Sequence, residues 1–170
     1  MRDYEQRIAR LKSQLAELSQ QLAQLEDEFS AYLEQRERRK AYLSSRQVLD
    51  LIEACHGRNG SMATIKRWAD SGYLGEVVDE RELFPLLEGK QGNKRFLYPR
   101  ETVCRFLYEK GLLRPAFDIL DRVCVSTPAG CIRGLVTSFD RRDDRFTYQV
   151  QLEETGVVLA DVSESELSLP

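Results

Sequence analysis

Lys66 and Arg67 are neighbouring cations inside the stretch 61–74, Ser-Met-Ala-Thr-Ile-Lys-Arg-Trp-Ala-Asp-Ser-Gly-Tyr-Leu. Further along come Lys90, Lys94 and Arg95, with Asn93 among them. Cations of this kind neutralise backbone phosphates and release condensed counterions, and an arginine can also reach two acceptors on a guanine edge. Thr64 and Asn93 add a hydroxyl and an amide suited to phosphate or base contacts. With Ser61 and Met62 at the head of the stretch, the candidate DNA-binding set is Ser61, Met62, Thr64, Lys66, Arg67, Lys90, Asn93, Lys94 and Arg95. The plain alternative is a surface helix with solvated cations.

Other chemistry finds little material. There is no Gly-x-Ser-x-Gly, no P-loop and no dinucleotide fingerprint. Cys55 and His56 are sequence neighbours, which is no substitute for a nucleophile and base brought together in space. The acidic pairs Asp143-Asp144 and Glu153-Glu154 fall in turns, where solvated charge explains them. Cys55, Cys104, Cys124 and Cys131 form no C-x-x-C, and His56 is the only histidine, so a zinc site is not expected. Free thiols in a reducing cytosol are the expectation, with no catalytic residue, no metal and no cofactor.

The elements that must position the cations can be read from periodicity. Ser61 is an N-cap for a helix, Gly72 suits its left-handed end, and Ile65, Trp68 and Ala69 form its buried stripe. Upstream, Ser44 or Ser45 caps a helix running through Val48, Leu49, Ile52 and Cys55, and His56-Gly-Arg-Asn-Gly60 makes the turn between the two. Helix, Gly-containing turn and second capped helix is the helix-turn-helix pattern. The apolar runs 82–88 and 94–98, joined by Gly89-Lys-Gln-Gly-Asn93, predict a hairpin with a basic tip, Pro85 marking its first strand as irregular. A helix beginning near Pro99 turns Val103, Phe106 and Leu107 inward and ends at Gly111.

Residues 1–40 predict one long helix. Ile8, Leu15, Leu22 and Phe29 fall at heptad position a, and Leu11, Leu18, Leu25 and Tyr32 at d. A seam so narrow needs a partner helix. Self-association is the specific expectation, through these eight residues, with its orientation open. Arg36, Arg38, Arg39 and Lys40 end the helix and can meet phosphate or solvent. Past Pro115 the texture becomes β-rich, with strands expected at 122–126, 133–139, 145–152 and 157–162, enough for a small closed barrel without exposed edges. Phe139, Tyr148, Arg141 and Arg142 can form a binding surface there, although strand aromatics more often serve a core.

Two resemblances sharpen this outline. Thr64-Ile-Lys-Arg-Trp-Ala-Asp-Ser-Gly-Tyr-Leu74, then Gly92-Asn-Lys-Arg-Phe96 and Pro99-Arg-Glu-Thr-Val103, resemble the MerR/excisionase type of winged helix-turn-helix across residues 43–107. The resemblance implies that Thr64, Lys66 and Arg67 face DNA from a helix, that Lys94 and Arg95 do so from a wing, and that Trp68 and Phe96 hold both against the core. The segment 75–91 is longer and more acidic than the usual link to the wing, and the coil precedes the domain rather than following it. Residues 121–167, with Asp-Arg-Val-x-Val, Gly-x-Val, Tyr-x-Val-x-Leu and the closing Ser-Glu-Ser-Glu-Leu, resemble Src-homology-3-like barrels of the Tudor/KOW type.

The chain is therefore expected to be a multi-part α+β protein: a coiled-coil helix over 1–40, a winged helix-turn-helix over 41–114 and a small Src-homology-3-like β-barrel over 115–170. Segment charges fit that division, with twelve cations against ten anions in the middle part and five against ten in the last. At a net charge of −3, DNA contact must come from a local patch, and the acidic barrel suits a protein partner. No run approaches a membrane span or a signal peptide, so a cytoplasmic, nucleoid-associated location is expected. The expected function is a dimeric, non-enzymatic DNA-binding protein, a transcriptional regulator, whose partners are double-stranded DNA, a second copy and a protein at the barrel. The alternative is a non-DNA adaptor that assembles a complex through its coil and barrel.

Overall fold

The computed structural model describes residues 2–57, 60–87 and 95–170 of the 170-residue chain. The protein is mixed α+β, with a long N-terminal helix and two antiparallel sheets. One sheet orders its strands β1 (Tyr42–Ser44), β3 (Phe96–Pro99) and β2 (Val78–Asp79). The other orders β7 (Val158–Ser163), β6 (Arg145–Leu152), β5 (Gly130–Arg142), β4 (Arg122–Thr127) and β8 (Leu167–Ser168). The chain divides into two compact units, one of Met1–Tyr42 with Val78–Leu97 and one of Leu43–Val77 with Tyr98–Pro170.

In the first unit, α1 (Arg2–Arg39) is a single uninterrupted helix, with Asp3 and Glu5 in its first turn and Arg36, Arg38 and Arg39 in its last, each matching the helix dipole. Its C-terminal end meets the segment around β2. Arg39 Nε lies 2.6 Å from Glu80 Oε1, and Gln35 Oε1 accepts from the Leu86 amide at 3.0 Å. Arg39 is thus drawn into the fold. The hairpin differs from expectation. Its first strand is β2, whose Val78 and Asp79 face Leu97 and Phe96, while Glu80–Leu83 form the short helix α4 and Pro85–Leu87 a turn. The cause is local, because Asp79 Oδ1 caps the Arg81 amide at 3.0 Å and Glu80 and Glu82 suit a helix N-terminus. Phe84 and Leu97 are fully buried, and Tyr42 meets the Phe84 ring edge-on at 5.8 Å.

In the second unit, α2 (Ser45–His56), α3 (Met62–Asp70) and α5 (Arg100–Glu109) share one apolar core with the five-stranded sheet. Ser44 caps α2 in a reciprocal box with Gln47. Val48, Leu49 and Ile52 are buried as expected, but Cys55, three residues past Ile52, is exposed. On α5, Val103, Cys104, Phe106 and Leu107 point inward. Strand β6 alternates as its sequence requires, with Phe146, Tyr148, Val150 and Leu152 buried.

The sheet is open, not the closed barrel expected. Edge strand β7 pairs only with β6, and the other edge, β8, pairs two residues with β4. Only the 3-10 turn Glu164–Glu166 separates β7 from β8, so the sheet rolls until its edges approach within the reach of a few residues. No ladder joins them. The roll needs close strand approach, and Gly134 supplies it, since a Cβ there would lie 2.4 Å from Val150 Cγ1. Nor are all four cysteines free. Cys124 and Cys131, on the paired strands β4 and β5, form a disulfide with Cα atoms 5.6 Å apart, leaving Cys55 and the buried Cys104 as thiols.

Candidate nucleic-acid interface

Helix α3 is short and held at both ends. Ser61 Oγ accepts from the Thr64 amide at 3.2 Å and lies 3.0 Å from the Thr64 hydroxyl. At the other end the Gly72 amide donates to Ala69 and the Tyr73 amide to Trp68, with Gly72 at φ +79°, closing a left-handed cap only glycine adopts freely. Ile65 is fully buried, and Trp68 meets Phe106 edge-on at 5.2 Å while Tyr73 stacks on the same ring. Gly60, just ahead of α3, comes close against α2, for a Cβ there would lie 2.7 Å from Leu49 Cδ2. His56 Nε2, at the end of α2, lies 3.0 Å from the Gly111 carbonyl after α5. Three helices are thereby fixed to one another.

That packing leaves one face of α3 in solvent, made of Met62, Ala63, Lys66, Arg67 and Asp70. Met62 is 56% exposed, and neither Lys66 nor Arg67 makes an ion pair among the described residues. The face can therefore offer an ammonium, a guanidinium and a flexible thioether, with Asp70 opposing them at the far end. Ser61 is also exposed, but its hydroxyl is engaged in the cap, and Thr64 is half-buried with its hydroxyl turned back to Ser61.

The expected wing residues Lys90, Asn93 and Lys94 lie outside the described residues. Arg95 belongs to the first unit, where its Nε lies 3.3 Å from Glu80 Oε2. Glu80 therefore bridges two arginines, Arg39 and Arg95, and Arg39 also donates to the Tyr42 carbonyl at 2.8 Å. The guanidinium of Arg95 is partly neutralised before any ligand arrives. Of the nine candidate residues, the structure brings together Ser61, Met62, Thr64, Lys66 and Arg67 on α3. Along α1 the eight seam residues are all solvent-facing, with Ile8 at 52% and Leu15 at 68% exposure.

The sheet's aromatic surface is not free. Tyr148 is buried, its hydroxyl donating to Glu164 Oε2 at 2.8 Å and accepting from the Ala116 amide at 3.0 Å. Burial raises its pKa above the ordinary tyrosine range, and the bond to Glu164 raises it further. Phe139 packs edge-on against Phe146 at 6.1 Å. Arg141 lies 5.1 Å from the centre of the Tyr108 ring and donates to the Asp143 carbonyl. These groups hold α5 to the sheet, helped by Arg100 Nη1 at 2.9 Å from Asp144 Oδ1. Asp144, expected as solvated turn charge, is thus a structural anchor. Its only signal was charge complementarity with a distant arginine.

A cleft of about 450 Å³ beside β6 is lined by Arg145, Thr147, Ser163, Glu164 and Ser165 among others. Glu164 is already bound to Tyr148, and the Ser163 hydroxyl donates to Glu166 Oε2 at 2.7 Å. Among the described residues no buried side-chain nitrogen or oxygen lacks a hydrogen-bond partner, no cluster of His, Cys, Asp and Glu is placed to hold a metal, and no helix is long and apolar enough to cross a membrane. No protein-family model matches the chain, and neither a curated protein nor a solved structure matches it.

Proposed function

We propose that this chain is a dimeric DNA-binding protein, a transcriptional regulator, that contacts duplex DNA with α3 and pairs through α1. The observation that carries the reading is the division of labour on α3. Ile65, Trp68 and Ala69 are turned to the core, the helix ends are capped, and Lys66 and Arg67 stand in solvent on the opposite face beside Met62. The succession α2, α3, strands β2 and β3, then α5 supports the winged helix-turn-helix reading. The strand order of the larger sheet, with a 3-10 turn before its last strand, supports the Src-homology-3-like one.

The test is selection of genomic duplex fragments at about 0.15 M salt, followed by salt titration on whatever is enriched. Replacing Lys66 and Arg67 together by alanine is expected to weaken retention at least tenfold and to flatten the salt slope by about one per lost phosphate contact. Unchanged affinity and slope would sink the reading. A second reading, a protein-assembling adaptor, is favoured by apolar residues exposed around the sheet, Leu120 at 70% and Val157 at 54%. It expects no salt-dependent retention on duplex DNA of any sequence.

A further inference from the structure

The seam of α1 is an unpartnered apolar face, Leu11 at 64% and Phe29 at 61% exposure among its members. A stripe this narrow is the width that one further helix covers. We propose that its occupant is a second copy of α1 running antiparallel. The inference rests on the self-pairing part of the proposed function and supplies the geometry that the heptads alone leave open.

Three observations bear on the orientation: the first permits the antiparallel pair and the other two favour it. The seam is symmetrical about its middle, so reversing the second helix places every a residue opposite a d residue whose number brings the pair to 40. Leu11 then faces Phe29 of the second copy, Ile8 faces Tyr32, and no layer is empty.

The aromatic residues are gathered at one end, where the Phe29 and Tyr32 rings stack 6.4 Å apart. A parallel pair would force four such rings into two consecutive layers, whereas the antiparallel pair sets each aromatic residue against Leu11 or Ile8.

Charge is the third. Residues 2–12 hold four cations and two anions, and residues 17–34 hold five anions and no cation. Parallel pairing lays like against like, and on its rim Arg7 meets Lys12 of the other copy twice by symmetry. Antiparallel pairing brings Lys12 beside Glu26 of the second copy, also twice, and leaves Arg7 beside Gln35. The two chains then leave the coil at opposite ends, about 55 Å apart at ~1.5 Å per residue. A parallel coil would release both at one end.

The test uses the full chain. Sedimentation equilibrium is expected to give a dimer, and a monomer, trimer or tetramer would overturn the proposal. Lys12→Glu separates the orientations by sign. It sets a new carboxylate against Glu26 in the antiparallel pair, weakening dimerisation about fivefold to tenfold, and it relieves Arg7 in the parallel pair, strengthening it. Cross-linking in a Cys55→Ser background gives the register. Leu11→Cys chains are expected not to cross-link with themselves, but to cross-link when mixed with Phe29→Cys chains. Self-cross-linking of Leu11→Cys, or an unreactive mixture, overturns the arrangement. Failure here with a dimeric mass leaves the proposed DNA reader intact, and an antiparallel dimer without DNA retention leaves this inference intact.

Discussion

Helix α1 and the helices of the second unit carry equally regular apolar patterns, and the outcomes are opposite. Leu15 and Leu18 of α1 stand at 68% and 62% exposure, while Val48, Ile65 and Leu107 are completely covered. The difference lies in what each stripe has to pack on. Stripes in the second unit meet other helices and a rolled sheet within one core, whereas the stripe of α1 from Tyr4 to Phe29 stays in solvent. Periodicity identifies the face that must be covered. It does not say by what.

The sharpest way to break this comparison is to remove equivalent side-chain volume from each region. Ile65→Ala should destabilise the second unit by about 2–5 kcal/mol, the range for opening a cavity at a fully buried aliphatic site. Leu18→Ala should leave that unit's unfolding unchanged and act on self-association instead. Trp68 is the only tryptophan and packs on Phe106 in the second unit, so its fluorescence during urea unfolding reports that unit directly. A shift in the Trp68 transition as large for Leu18→Ala as for Ile65→Ala would show that the two stripes are not independent.

Most of what the sequence made legible was local. The caps at Ser44 and Ser61, the left-handed glycine at 72, the alternation of β6 and the start of α5 after Pro99 all depend on a few adjacent residues. What was missed depends on pairs far apart in the chain. Nothing near Glu80 announces that Arg39 and Arg95 will share it, and nothing near Asp144 announces Arg100. Cys124 and Cys131 pair because two strands place them together, a relation that a search for C-x-x-C does not see. The open sheet belongs with these, since closure is decided by whether β7 and β8 form a ladder, not by the number of β-rich runs. At the candidate site, the exposed face of α3 was readable from helical spacing, but the engagement of the Ser61 and Thr64 hydroxyls with each other was not.

Burial in the second unit predicts how it responds to alkali. Burial pushes the Cys104 thiol up to about 12, helped by the nearby carboxylates of Asp144 and Asp143 and opposed by Arg100 and Arg141. The folded state therefore holds this proton more tightly than the unfolded state does. Its stabilising effect is complete below the ordinary thiol range and is lost as pH rises from about 9 toward 12. Tyr148 acts in the same direction at higher pH, because burial and Glu164 disfavour its phenolate. Urea unfolding followed at Trp68 from pH 8 to 11 should show falling stability, with a shallower fall in Cys104→Ala. An equal slope in that variant would place the alkali-sensitive group elsewhere.

The smallest expected effect separates the two jobs of Ser61. A helix of nine residues cannot spread a lost cap over many turns as the 38-residue α1 can. Ser61→Ala removes the side-chain acceptor for the Thr64 amide and should cost the second unit about 1 kcal/mol in the Trp68 transition. Ser61→Asp keeps a cap acceptor and favours the helix dipole, so stability should be held. The same carboxylate would stand at the exposed head of α3, beside the surface that Lys66 and Arg67 offer to phosphate. If that surface meets DNA, Ser61→Asp should weaken retention without loosening the fold, while Ser61→Ala should do the reverse. Parallel losses of stability and retention in both variants would make Ser61 a scaffold residue and leave the contact to the cations alone.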